Sequence, residues 1–233
     1  MNKEISLVIE KYVESIQSDK YHRYGSWDIC HEAFYTIAND ANHALHLAFY
    51  LASWGMYRGS SGLLQKNHII HEKAVDILLQ QKYKSIRCHS ENEVTKDNIG
   101  DILSLKEELS NYYSNINFIR GSNEEKGIST TDTLLSKIIL GTLGCVPAYD
   151  RYFIKGLKIN DIKLYEFNKP SLQRLFIFIE EKNDEIESAK RLIKEKTGSN
   201  YPFMKILDMY FWQIGYENAL IEDKGKKKSK IQE

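Results

Sequence analysis

Cysteine is scarce in this chain: Cys30, Cys88 and Cys145 are the only three among 233 residues, and no two form a CxxC pair. An odd, scattered set excludes a disulfide framework and a zinc ribbon, and it cannot supply four thiolates to an iron–sulfur cluster. Proline is equally rare. Pro147, Pro170 and Pro202 each stand just before or at the start of an apolar-periodic run, where the first turn of a helix tolerates them. Also missing is any uninterrupted apolar stretch of the roughly 18 residues that suggests a membrane span. The opening MNKEISLVIEKYVESIQ mixes acids with bases at helical spacing and has no small-residue cleavage site. Neither a signal nor a transit peptide is expected, so the protein is placed in the cytoplasm with no membrane partner. An excess of one charge is lacking too. Lys and Arg total 32 against 32 Asp and Glu, so affinity for a polyanion has to come from local asymmetry.

Several chemistries are excluded by missing motifs. There is no GxxxxGK phosphate loop, no GxSxG nucleophile elbow, and no arginine followed five positions later by histidine, as helical-bundle ribonucleases have. What is present is a core. With 42% apolar and 27% charged residues, a chain of this length buries most of its unfolded surface. Residues 1–223 are expected to form one globular, monomeric unit with room for two helical lobes, followed by a disordered basic tail over 224–233. Charge is locally uneven: between Gly55 and Ser90 six bases face two acids, and between Glu91 and Tyr113 six acids face two bases.

The hydrophobic periodicity is helical almost throughout, which predicts an all-α fold. Ile5, Val8, Ile9, Tyr12, Val13 and Ile16 place a first helix near residues 3–18. A second runs from about Trp27 to Ala38. A third, near 41–57, is apolar around most of its circumference and is expected to be central, until Gly59-Ser60-Ser61-Gly62 breaks it. Further helices are expected near 67–82, near 97–114 with Thr95 or Asp97 as cap, near 131–143 and near 150–158. Another should run from Pro170 to about Lys196, and a last, aromatic-rich one from Pro202 to about Leu220. The polar run from Arg120 to Gly127 is a loop or hairpin, and residues 159–166 are the one weak strand candidate.

The informative stretch is GISTTDTLLSKIILGTLGCVPAYD, Gly127 to Asp150, continued by RYFIKGL. A glycine turn opens a helix, the helix ends at glycine, and a Val-Pro-x-x-Asp corner starts the next one. This order resembles the helix-hairpin-helix DNA glycosylases, in which a Gly-x-Gly hairpin leads through one helix to a Pro-x-Asp corner with a catalytic aspartate. The match covers about residues 115–160, and the 24 residues from Gly127 to Asp150 are about the spacing that family uses. The resemblance implies a two-lobed helical globule and double-stranded DNA as partner. It also implies an extruded nucleotide whose base–sugar bond is hydrolysed, with Asp150 as catalytic carboxylate and no cofactor. A carboxylate near the anomeric carbon can stabilise an oxocarbenium-like transition state or activate water. Gly127, Ser129, Thr130 and Thr131 would hold phosphate at a helix N-terminus, with Lys137 and Arg151 adding positive charge. The hairpin's second glycine is here Ser129. Where strand-cleaving members carry a Schiff-base lysine this chain has Thr131, and Lys137 lies about 240° away around an ideal helix. An abasic product without lyase chemistry is therefore expected. Repair and attack on modified foreign DNA are both compatible with these residues.

Blander and rival readings stand beside this one. An aspartate after a proline corner is often only an N-cap, and a non-catalytic nucleic-acid or protein-binding module is the corresponding alternative. His46, Trp54, Tyr57 and Arg58 could border a base pocket, with Gln65 as a wedge into the vacated stack, although core packing also explains Trp54. A metal-dependent hydrolase is the third possibility. His43 and His46, three apart and preceded by Asp40, and His68, His71 and Glu72 could converge on an ion from neighbouring helices. Neither set has the HExxH pattern, and no metal is expected.

Overall fold

The computed structural model describes residues 4–36, 42–89, 92–120 and 124–229. Among these the fold is all-α apart from one small hairpin. Helix α1 (Ile5–Ser18) buries Ile5, Val8, Ile9, Tyr12 and Val13, the expected stripe. Helix α2 (Ser26–Thr36) follows. Helix α3 (His43–Ser53) stops at Trp54, and Gly55 then takes a left-handed φ of 70°. It is shorter than its apolar content predicts and is not enclosed. Leu47 and Leu51 are buried, whereas Leu45 and Phe49 are half exposed.

The expected helix over 67–82 is divided. A 3₁₀ turn at His68–His71 leads into α4 (Glu72–Leu78), and a second 3₁₀ segment covers Gln81–Ile86. Helix α5 (Ile99–Ser114) is entered through a 3₁₀ turn capped by Thr95, whose Oγ1 accepts from the Asp97 N–H at 3.3 Å. Strands β1 (Asn117–Arg120) and β2 (Glu124–Gly127) then pair antiparallel, with Asn117 opposite Gly127. The polar run is thus a β-ribbon between helices.

Helix α6 (Asp132–Leu143) is the enclosed one, every residue from Leu134 to Leu143 being buried. Helix α7 (Arg151–Ile159) follows the proline corner. Residues 160–168 contain no strand. The expected long helix after Pro170 is two, α8 (Lys169–Glu181) and α9 (Asn183–Thr197), interrupted at Lys182. Helix α10 (Phe203–Ser229) continues well past Leu220, so residues 224–229 are helical rather than a disordered tail, and 230–233 lie outside the described residues.

The buried apolar side chains form one continuous cluster reaching from Ile5 to Ile214. Within it, α7 and α10 approach closest, and two glycines make this possible. A Cβ on Gly156 would lie 1.9 Å from the Phe211 carbonyl oxygen, and one on Gly215 would lie 1.9 Å from that of Tyr152. Only backbone without a side chain fits at either position. No helix among the described residues is long and apolar enough to cross a membrane.

Candidate active site

The site is assembled by a corner that has no regular structure yet is wholly buried. Gly144 ends α6 with φ 68°, and a side chain there would press on His31 and Pro202 at 2.9 Å. Cys145 to Tyr149 then run through the core, where unpaired peptide groups are costly, and side chains meet them. The Ala148 N–H donates to Asp208 Oδ1 at 3.0 Å, and the Tyr149 N–H donates to Ser136 Oγ at 2.8 Å. The Tyr149 carbonyl accepts from Thr133 Oγ1 at 2.8 Å. Helices α6 and α10 thereby hold the peptide that presents Asp150.

Asp150 is the N-cap of α7. Its Oδ1 accepts from the Tyr152 and Phe153 N–H groups at 3.0 and 3.1 Å. Its Oδ2 faces the other way, accepting from Lys137 Nζ at 2.9 Å and Trp212 Nε1 at 3.3 Å. Capping and a second role therefore coexist on two different oxygens. The Asp150 side chain keeps 13% of its exposure, against 3% for Lys137, and both line a cavity of about 370 Å³. Its aromatic wall is Trp54, Trp212 and Tyr152. The two indoles meet edge to face at 5.6 Å, and Lys137 Nζ sits 4.8 Å from the centre of the Trp54 ring. Arg23, Arg58 and Arg151 also belong to the lining, with Gly55, Met56 and Thr133. Two larger hollows, of about 510 Å³ beside Trp27 and His89 and about 690 Å³ beside Lys96 and Phe176, include no carboxylate in contact with a buried ammonium.

Behind the cavity lies a second buried pair. Lys205 Nζ is 3.3 Å from Asp208 Oδ2 and 3.4 Å from the Tyr12 hydroxyl. Burial pushes the Asp208 carboxyl up and the Lys205 ammonium down, while their mutual attraction opposes both shifts. Lys137 also holds Asp208 down, and Asp150 raises it, so the two pairs share one electrostatic neighbourhood.

Known protein families, curated proteins and solved structures contain no match to this chain. The functional reading rests on its own geometry.

The structure brings together Asp150, Lys137, Arg151, Trp54 and Arg58 of the expected site. It does not bring in the others. Lys137, expected at a phosphate, instead has its ammonium taken up by the Asp150 carboxylate inside the cavity. Gly127 serves packing, since a Cβ there would sit 2.2 Å from the Ser114 carbonyl oxygen. Thr130 Oγ1 accepts from Ser110 Oγ, Thr131 caps α6 through the Leu134 N–H, and Ser129 is exposed beside them. Gln65 is tied to the Ile119 carbonyl at 2.7 Å rather than aimed into a base stack. His46 does not line the cavity, and Tyr57 instead bonds His71 Nε2 at 2.8 Å. Arg23, Thr133, Tyr152 and Trp212 were missed. The one sequence signal for the buried support was Lys205 and Asp208, charges three apart inside the apolar run that starts α10.

The histidines do not form a metal centre among the described residues. His71 gives both ring nitrogens to tyrosine hydroxyls, Tyr57 and Tyr113, the latter at 2.6 Å. His43 Nε2 pairs with the Ala33 carbonyl at 2.9 Å. His68 and Glu72 join neither contact, and Asp40 lies outside the described residues. Burial pushes His71 and His31 down from 6.5 to about 3. The unfolded chain therefore takes up these protons first as pH falls below 6.5. Stability should drop by about 1.4 kcal/mol per pH unit for each histidine over that interval. The urea midpoint is expected to fall clearly from pH 7 to pH 5; a flat profile would contradict buried neutral rings.

Proposed function

We propose that this protein is a DNA glycosylase that receives a nucleotide extruded from double-stranded DNA and hydrolyses its base–sugar bond at Asp150. The observation that carries this reading is the Asp150–Lys137 pair opening into an aromatic cavity. Trp54 and Tyr152, the partly exposed aromatic residues of the lining, offer the surface on which a flipped base stacks, commonly worth about 1–3 kcal/mol for each base. With four donors already on its oxygens, Asp150 acts as a fixed negative charge rather than as a base. It stabilises the positive charge that develops at C1′ as the glycosidic bond lengthens. Water adds to C1′ and the base nitrogen leaves. Lys137 hands a proton to that nitrogen and regains one from the water, leaving an abasic sugar, a free base and an unchanged enzyme.

A second reading is favoured by the same 2.9 Å contact. If Lys137 passes its proton to Asp150, the neutral amine can itself add to C1′. The glycosidic bond breaks as the N–C1′ bond forms and Asp150 returns the proton to the departing base; the C1′–O4′ bond then opens, O4′ taking a proton from the nitrogen, and a protonated imine results.

One experiment separates these outcomes. The wild type and Asp150→Asn are incubated with damaged, mismatched and modified duplexes, and released bases are read by mass spectrometry with and without borohydride. The substitution keeps an N-cap oxygen but removes the charge, so base release is expected to fall at least about 100-fold. Hydrolysis predicts no borohydride-trapped adduct, whereas a trapped adduct lost in Lys137→Gln would establish the imine route. An Asp150→Asn protein that releases base at the wild-type rate would end the proposal.

A further inference from the structure

The cavity lining contains one carboxylate, and its charge is met by Lys137. Arg23, Arg58 and Arg151 remain. None of the three has a carboxylate partner among the described residues, all three are exposed, and they come from separate parts of the chain. Arg23 lies in the 3₁₀ turn before α2, Arg58 follows the end of α3, and Arg151 opens α7. Two are held on aromatic rings: the Arg23 guanidinium lies 4.9 Å from the centre of Trp54, and that of Arg151 lies 4.4 Å from the centre of Tyr152, whose hydroxyl also accepts from Arg151 Nη2. Stacking fixes the plane of a guanidinium while leaving N–H edges to donate, a geometry that suits the oxygens of a phosphodiester. In a chain with no net charge, this concentration of unanswered cations marks where a polyanion would dock. The β1–β2 ribbon has no such surplus. Its glycine is filled by packing, and the hydroxyls of Thr130 and Thr131 that follow it are engaged with protein.

We infer that the phosphodiester groups flanking the extruded nucleotide are held by Arg23, Arg58 and Arg151 around the cavity mouth, and not by the Gly127–Thr131 segment. This rests on the nucleic-acid reading of the site, and it adds Arg23 and relocates the backbone contacts.

The probe is a duplex with a central tetrahydrofuran abasic analogue, bound to the full chain and followed by fluorescence anisotropy across a salt series. Each of Arg23→Gln, Arg58→Gln and Arg151→Gln is expected to reduce the slope of log affinity against log salt by about 0.9, one phosphate contact apiece. Ser129→Ala and Thr130→Ala should leave the slope unchanged. Thermal melting verifies that these surface variants remain folded. If the wild type binds and the arginine variants keep its slope, or the Ser129 and Thr130 variants lose it, the arginine assignment is overturned while the DNA reading survives. If the wild type shows no salt-dependent retention of this duplex, the DNA reading and the assignment fall together.

Discussion

Gly156→Ala is expected to destabilise the protein by about 3 kcal/mol, the upper part of the usual range for overpacking a core. The added methyl would stand 1.9 Å from the Phe211 carbonyl oxygen. That obstacle is helix backbone, which cannot rotate aside as a side chain would. Relief requires α7 and α10 to separate, and Gly215 makes the opposing half of the same contact against Tyr152. Separation also reaches the site, because Asp150 caps α7 while Trp212, which donates to it at 3.3 Å, stands on α10. On the proposed reading, base release falls with stability, and a denaturant titration alongside the base-release assay measures both. Ala at Gly198, which has open space around it but a φ of 77°, should reduce stability only modestly and leave base release intact. A Gly156→Ala protein with an unchanged midpoint would show that the two helices are not in backbone contact.

Asp208→Ala should be the most damaging side-chain truncation, at about 3–5 kcal/mol, the range for breaking a buried ion pair by removing one partner. It leaves Lys205 in the core without its nearest counter-charge and removes the acceptor of the Ala148 N–H. The second loss loosens the corner immediately before Asp150. Asp208→Asn separates the two effects, since its amide oxygen can still accept from Ala148. The paired replacement Lys205→Met with Asp208→Asn should recover much of the stability, because a buried pair exchanged for neutral groups of similar volume is often neutral overall. Urea unfolding of the three variants checks this order. If Asp208→Ala proved as stable as the wild type, the pair would have to be solvated, contrary to its burial.

The elements that sequence periodicity found correctly are those settled within a few residues. The apolar stripe of α1, the Thr95 cap before α5 and the Asp150 cap of α7 are local matters of spacing and hydrogen bonding. The expectation failed where neighbours decide. Helix α3 carries more apolar residues than it buries, while α6, with Ser136, Lys137 and Thr142, is the helix enclosed on every side. Lys137 was misjudged for the same reason. Its angle from Thr131 around α6 says which way the side chain leaves the helix, but not that α7 waits there with a carboxylate. Trp212 could only be read as a core aromatic, although its indole N–H reaches Asp150.

By itself, the sequence determined the helical fold class, the three free and buried thiols, and a proline corner delivering Asp150 to a helix N-terminus. Those features depend on composition and on interactions among residues near in the chain. Tertiary structure alone decided that Lys137, Trp54, Trp212 and three arginines converge on that carboxylate, and that Asp208 and Lys205 support the corner from behind. Such convergence is set by close packing between distant helices, above all the glycine-mediated contact of α7 with α10, and the spacing along the chain carries no record of it.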